Sequence, residues 1–162
     1  MLHRFSVFID KPPADVFHFL RNKDSHKQES ESPVLLLEKT TEGPVGSGTR
    51  YREVVQMAPF VRCEILSEVT RYEEYSVLEE AWAGGGMRGL LTYFFQPAGQ
   101  GTQLVQHVQI KTHWLMRPFD RVIAKMYARA ARYRLDCIKV ILETGRSPDI
   151  GKIKWWHLSR KR

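Results

Sequence analysis

The stretch GPVGSGTRY, Gly43 to Tyr51, sets three glycines and a threonine within nine residues, the density of a phosphate-cradling loop. Such a loop needs a helix behind the glycines, whose free N–H groups and dipole meet the anion, and a P-loop adds a Gly-Lys-Ser/Thr ending. Here no lysine follows Gly48. The next residues, TRYREVVQM, set Tyr51, Val55 and Met57 against Arg50, Arg52 and Gln56, the period-2 pattern of a strand. The glycines therefore read as a turn between strands.

Working outward, the N-terminal HRFSVFID alternates Phe5, Val7 and Ile9 and reads as a first strand, broken by Lys11-Pro12-Pro13. PADVFHFLRN then carries Val16, Phe17 and Leu20 at helical spacing behind a proline, which a helix entrance tolerates. Lys23 to Ser32, KDSHKQESES, is polar without apolar periodicity and reads as a poorly packed short helix or an exposed loop. Beyond Pro33 come six strand-like runs: VLLLEKT, GTRYREVVQM, VRCEILSEVT, YSVLEEAW, MRGLLTYFFQP and TQLVQHVQIKTHW. Their short links imply antiparallel pairing. AGGGMRG, Ala83 to Gly89, fits a hairpin turn between two of them.

Arg117 to Thr144 reads as one long amphipathic helix with Phe119, Val122, Met126, Ala130, Tyr133, Cys137 and Ile141 on one face, closed by Gly145 and Pro148. A seven-stranded curved sheet must cover its inner face, and that last helix has the most apolar surface to offer. The expected class is α+β, a helix-grip: a curved antiparallel sheet wrapped around a long C-terminal helix, with one or two short helices after the first strand. Residues 1–146 would form the domain and 147–162 a basic, tryptophan-containing tail.

At 162 residues and 43% hydrophobic, the chain can bury a core of its own. No apolar run is long enough to span a bilayer, and the N-terminus lacks the long apolar region of a signal peptide, so a cytoplasmic location is expected. Cys63 and Cys137 are too far apart in sequence for a CxxC motif. The six histidines form no HxxxH or HExxH pair, and His107 and His113 would lie about 20 Å apart along a strand. No metal site is expected, and no GxSxG elbow supports a serine hydrolase.

The net charge of +7 sits in the second half: residues 81–162 carry fifteen Lys/Arg against four Asp/Glu. Arg117, Arg121, Lys125, Arg129 and Arg132 would form a stripe along the long helix, and the tail GKIKWWHLSRKR mixes cations with Trp155 and Trp156. Plain solvation of that face, and tryptophans packed back on the body, are the simplest accounts. The alternative is peripheral docking on an anionic membrane through helix face and tail. Nucleic acid is not an expected partner.

The order of these elements, with IDKPPADVFHFL, GPVGSGTRY, FFQPAGQGTQL and the closing ILETG, resembles the START-like (SRPBCC) helix-grip superfamily, in particular its polyketide cyclase/dehydrase-like branch. The resemblance spans about residues 3 to 145. Members often carry a tryptophan after the first helix, and DSHKQESES has none. The resemblance implies a cavity between sheet and long helix that binds a hydrophobic small molecule such as a lipid or polyketide. No cofactor is expected.

With Phe95 facing inward, alternation turns Leu91 and Tyr93 inward too, and on the next strand Leu104, Gln106, Val108 and Ile110. Gln106 and Tyr93 would then bond a ligand or each other. The same alternation sends Glu53 inward between Tyr51 and Val55, where an apolar cavity would raise its pKa and fit it for acid/base work; pairing with an arginine, or a place at the rim, is the competing account. Glu79 and Glu80 must point to opposite faces. The ligand-binding set is thus Tyr51, Tyr93, Phe95, Gln106, Met126, Tyr127 and Tyr133, with Glu53 as the candidate catalytic group. Two functions follow: a carrier of an apolar molecule, or a cyclase/dehydrase-type enzyme working through Glu53.

Overall fold

The computed structural model describes residues 1–23, 34–58 and 60–146. The strands are β1 (Leu2–Ile9), β2 (Val34–Lys39), β3 (Arg50–Ala58), β4 (Val61–Glu73), β5 (Val77–Gly84), β6 (Met87–Ala98) and β7 (Gly101–Thr112). Helix α1 (Pro13–Arg21) follows β1; a 3-10 turn (Trp114–Phe119) leads into α2 (Asp120–Thr144). All seven strands form one antiparallel sheet in the order β1-β7-β6-β5-β4-β3-β2. The expected helix-grip is what forms. The expected polar segment, Lys23 to Ser32, lies outside the described residues except for Lys23 itself, and the tail, residues 147–162, lies outside them altogether.

The glycine-rich stretch is indeed a turn before β3. Gly48, at φ 84°, donates its N–H to the Val69 carbonyl at 2.8 Å, and Val69 N–H returns a bond to Thr49 at 2.9 Å. Positive φ at both Gly85 and Gly86 lets β5 reverse into β6 within two residues, as a tight hairpin requires.

Strand register sorts the side chains into two faces. His3, Phe5, Val7 and Ile9 of β1 share the inner face with Leu104, Gln106, Val108 and Ile110 of β7 and with Leu91, Tyr93 and Phe95 of β6. The pairing continues through Leu78, Glu80 and Trp82 to Ser67, then to Tyr51, Glu53 and Val55. Helix α1 plugs one end of this face. Its Val16, Phe17 and Leu20 are buried, and the Phe17 ring meets Phe95 at 5.1 Å and Tyr72 at 5.3 Å, edge to face.

Helix α2 covers the β1 side along one row, with Tyr127 and Ala128 packed against the core and Ala131, Leu135, Cys137, Ile138 and Ile141 buried, and its C-terminal end is bolted to β1 by polar contacts at the rim. Lys139 donates to the Phe8 carbonyl at 2.7 Å, and Glu143 accepts the Asp10 N–H at 2.8 Å. Gly145 closes the helix at φ 68°, its N–H on the Ile141 carbonyl, as expected.

Two expectations for this helix change. The α-helix begins at Asp120 rather than Arg117, because Pro118 disfavours helical backbone at the residue before it; the chain makes a 3-10 turn there instead. The apolar row expected to face the sheet is also turned away along its first half. Phe119, Val122 and Met126 are 57%, 57% and 50% exposed. The helix packs through the row of Ala131, Leu135 and Ile138, where a small residue permits close approach to the sheet, and large side chains fall outside it.

This division can be measured. Phe17→Ala is expected to lower unfolding stability by about 3–5 kcal/mol in urea denaturation. Phe119→Ala, on the exposed row, is expected to stay within about 0.5 kcal/mol of the parent. Comparable losses at both sites would mean that the first half of α2 is gripped after all.

A buried lysine between two carboxylates in the candidate ligand site

The inner face is sealed at the α1 end and open at the other. Near α1, Ile9, Phe17, Phe95 and Leu104 are buried, whereas at the far end Ile65, Trp82, Met87 and Leu37 are only half-buried although they share that face. Trp82 has room because of Gly89. A Cβ at Gly89 would stand 2.7 Å from the indole, so only glycine there lets the ring lie over the neighbouring strand.

Into this half-open interior projects Lys23, two residues beyond α1. Its ammonium contacts Glu80 at 2.8 Å, Glu53 at 2.9 Å and Ser67 Oγ at 3.2 Å, and stands 4.4 Å over the Tyr51 ring. An ammonium has three protons to donate, and three acceptors are present. Burial, the largest single influence, pushes the Lys23 pKa down; the charges of Glu80 and then Glu53, with their hydrogen bonds, outweigh it and leave the pKa raised. Lys23 is therefore a cation, not an amine nucleophile.

Glu53 is inward as expected, and the partner that meets it is a lysine rather than an arginine. It keeps some contact with solvent, its side chain being 20% exposed. Of the adjacent pair, Glu80 enters the interior, while Glu79 stays on the outer face and accepts from Thr70 and Thr92, each at 2.9 Å. Sequence reasoning missed Lys23. It closes a helix and opens a polar run, where a lysine ordinarily points to water, and nothing in KDSHKQ marks it as buried.

A second polar group adjoins the first. Gln106, 1% exposed, donates through Nε2 to the Tyr93 hydroxyl at 3.2 Å, while its Oε1 is buried with no partner among the described residues. Tyr127 of α2 stacks on His3, centroids 6.5 Å apart. Burial first, and the nearby Tyr93 next, hold its phenol far above the usual range, with Arg134 opposing weakly. Since Glu80 pairs with Leu91, Tyr93 lies diagonally across from it, about 7–8 Å away. Leu78 and Leu91 separate the two groups.

The remaining candidates fall elsewhere. Phe95 is part of the plug against Phe17. Met126 is exposed, and Tyr133, half-buried, lies on the same outward row of α2. Among the described residues no cluster of His, Cys, Asp and Glu could hold a metal. A depression of about 710 Å³ lies on the opposite face of the sheet, between Arg50, Leu66, Ala83, Arg88 and Lys111. It is open to solvent, and none of the interior polar groups except Tyr51 and Ser67, through their strands, borders it.

Breaking the cluster tests its character. Lys23→Met, which strands two carboxylates, is expected to cost about 3 kcal/mol, and adding Glu53→Gln and Glu80→Gln to recover most of that loss. A raised folded-state pKa means that Lys23 contributes fully below its ordinary value of 10.5 and less as pH climbs through the higher folded value. The stability difference between the parent and the triple variant should thus hold from neutrality to about pH 10 and shrink above it. A difference that instead grew with alkalinity would contradict the buried cation.

With this geometry in hand, the likenesses to other proteins can be placed. The fold is shared with the crystal structure of a Thermus thermophilus protein, at TM-score 0.74 and 19% identity over 91% of this chain and 100% of that one. A Geobacillus kaustophilus protein aligns at 0.72 and 12% identity over 88% and 95%, and a Rhizobium leguminosarum protein at 0.70 and 15% over 88% and 94%. At such identities the likeness is one of fold. No curated protein matches the sequence. The family match is broader: residues 4–143, from β1 almost to the end of α2, fit one family throughout, so the chain belongs to the polyketide cyclase / dehydrase and lipid transport family.

Proposed function

We propose that this protein binds a neutral, largely apolar small molecule along the inner face of the sheet, with a hydroxyl or carbonyl end directed to the Lys23 cluster or to Gln106. Family and fold suggest a hydrophobic-ligand role in general terms. The observation that carries the finer reading is the buried lysine held by two carboxylates in an otherwise apolar, half-open interior. The cluster sets two acidic side chains against one basic one, a formal excess of one acidic group. A ligand carboxylate would be repelled, whereas a hydroxyl can donate to Glu53 and a second polar group can meet the spare oxygen of Gln106.

Carriage is favoured over catalysis because the ammonium is already saturated by Glu53, Glu80 and Ser67. One observation supports a cyclase/dehydrase-type reading: a partly solvated carboxylate lies 2.9 Å from a cation. In that case Glu53 would take the proton of a carbon between two carbonyls, the C–H electron pair would pass into the enolate, and Lys23 would exchange Ser67 for the enolate oxygen.

Native mass spectrometry of the protein from its own host, followed by denaturing extraction, tests carriage directly: a stoichiometric neutral apolar compound is the expected result. In vitro, retinol should bind at least tenfold more tightly than retinoic acid, with Glu53→Gln and Glu80→Gln together narrowing the gap. Preference for the acid would refute the charge argument. For the enzyme reading, polyketide turnover that is unchanged in Glu53→Gln removes Glu53 from the chemistry.

A further inference from the structure

We propose that the 3-10 turn and the first half of α2 form a docking surface for an anionic lipid bilayer, independently of what the interior binds. The turn and helix expose Trp114 (66%), Leu115 (59%), Phe119 (57%), Val122 (57%) and Met126 (50%). Phe119, Val122 and Met126 are spaced three and four apart, so they make one row along the helix. Arg121 and Lys125, also exposed, occupy the adjoining row, with Arg117 at its start. An exposed apolar strip beside a basic strip is the arrangement of a helix lying in a membrane interface. Aromatic and aliphatic side chains enter the headgroup boundary while guanidinium and ammonium groups meet lipid phosphates.

Charge argues against the other occupants. The C-terminal residues 147–162 carry five Lys/Arg and one Asp, the wrong sign to settle beside a basic row. Residues 24–32 have acidic groups but no Leu, Ile, Val, Met, Phe, Tyr or Trp to cover Trp114 and Phe119. A second copy of the chain would bring like-charged rows together. An anionic bilayer satisfies both strips at once.

The placement is specific. Thr112 donates to the Asp120 carboxylate at 2.7 Å, fixing the start of α2 at the end of β7. Register carries that level across the sheet from Thr112 to Met87, Gly84, Ile65 and Glu53, the half-buried end of the interior. The docking strip therefore stands beside the open end, not the plugged one.

Co-sedimentation with phosphatidylcholine vesicles, with and without phosphatidylserine, tests the surface on the full chain. Binding is expected only with phosphatidylserine and to weaken at high salt. Trp114→Ser with Phe119→Ser should reduce it tenfold or more, and Arg121→Glu with Lys125→Glu by about fivefold per charge, with circular dichroism unchanged because all four side chains are exposed. Trp155→Ser with Trp156→Ser should leave it intact. Vesicle binding abolished by the tail substitutions but unaffected by those on the helix would overturn the assignment. So would a concentration-dependent dimer, seen by sedimentation velocity, that Trp114→Ser with Phe119→Ser dissociates while no vesicle binding is detected.

Discussion

The concave face of a seven-stranded antiparallel sheet cannot be left wholly to water, and among the described residues two α-helices lie against it. Neither covers all of it. Helix α1 fills one end with Phe17, and α2 closes the β1 side with the row from Ala131 to Ile138, so the surface around Trp82, Ile65 and Met87 is left half-buried. The open interior is thus a consequence of how little helix there is and how it is anchored. Lys139 and Glu143 tie the C-terminal end of α2 to β1, and along its first half Tyr127 and Ala128 meet the core while Phe119, Val122 and Met126 face away from it.

The Lys23 cluster follows from the same shortage of cover. Burying Glu53 of β3 and Glu80 of β5 on the same face of the sheet, with β4 between them, would leave two like charges without compensation, which is far costlier than burying a satisfied pair. The ammonium, arriving from the end of α1, neutralises one of them and bonds both. It also ties the segment after α1 to β3, β4 and β5, across thirty residues and more of sequence. A polar cluster of this kind fixes a geometry more than it adds stability, since apolar residues of similar size would pack there at little or no loss.

Much of this was legible in the sequence, for a physical reason. Strands with one buried face write their register into period-2 alternation, which is why Phe5, Tyr93, Gln106 and Glu53 all point where alternation sends them. The turn glycines and Gly145 were equally readable, because positive φ leaves few alternatives. The face of α2 was not. Helical periodicity ranks rows by apolar content, and here the row of Phe119, Val122 and Met126 is left outside while that of Ala131, Leu135 and Ile138 is buried. Lys23 was also hidden, because its burial depends on two glutamates thirty and fifty-seven residues away whose meeting only the sheet register brings about.

The exposed row on α2 and the half-buried residues of the interior pose one energetic question, since both keep large apolar surface in contact with water. For the interior, a bound apolar molecule would remove that contact at about 25 cal/mol per Å². For the helix, no described part of the chain is placed to do the same. Scattered exposed hydrophobes need no explanation, but these are ordered by helical spacing, begin on a tryptophan and run parallel to a basic row. The contiguity of the strip and the basic row alongside it, rather than the helical spacing itself, are what the proposed bilayer contact rests on. The two surfaces meet at one end of the molecule, where the hydrogen bond from Thr112 to Asp120 holds the start of α2 against the end of β7.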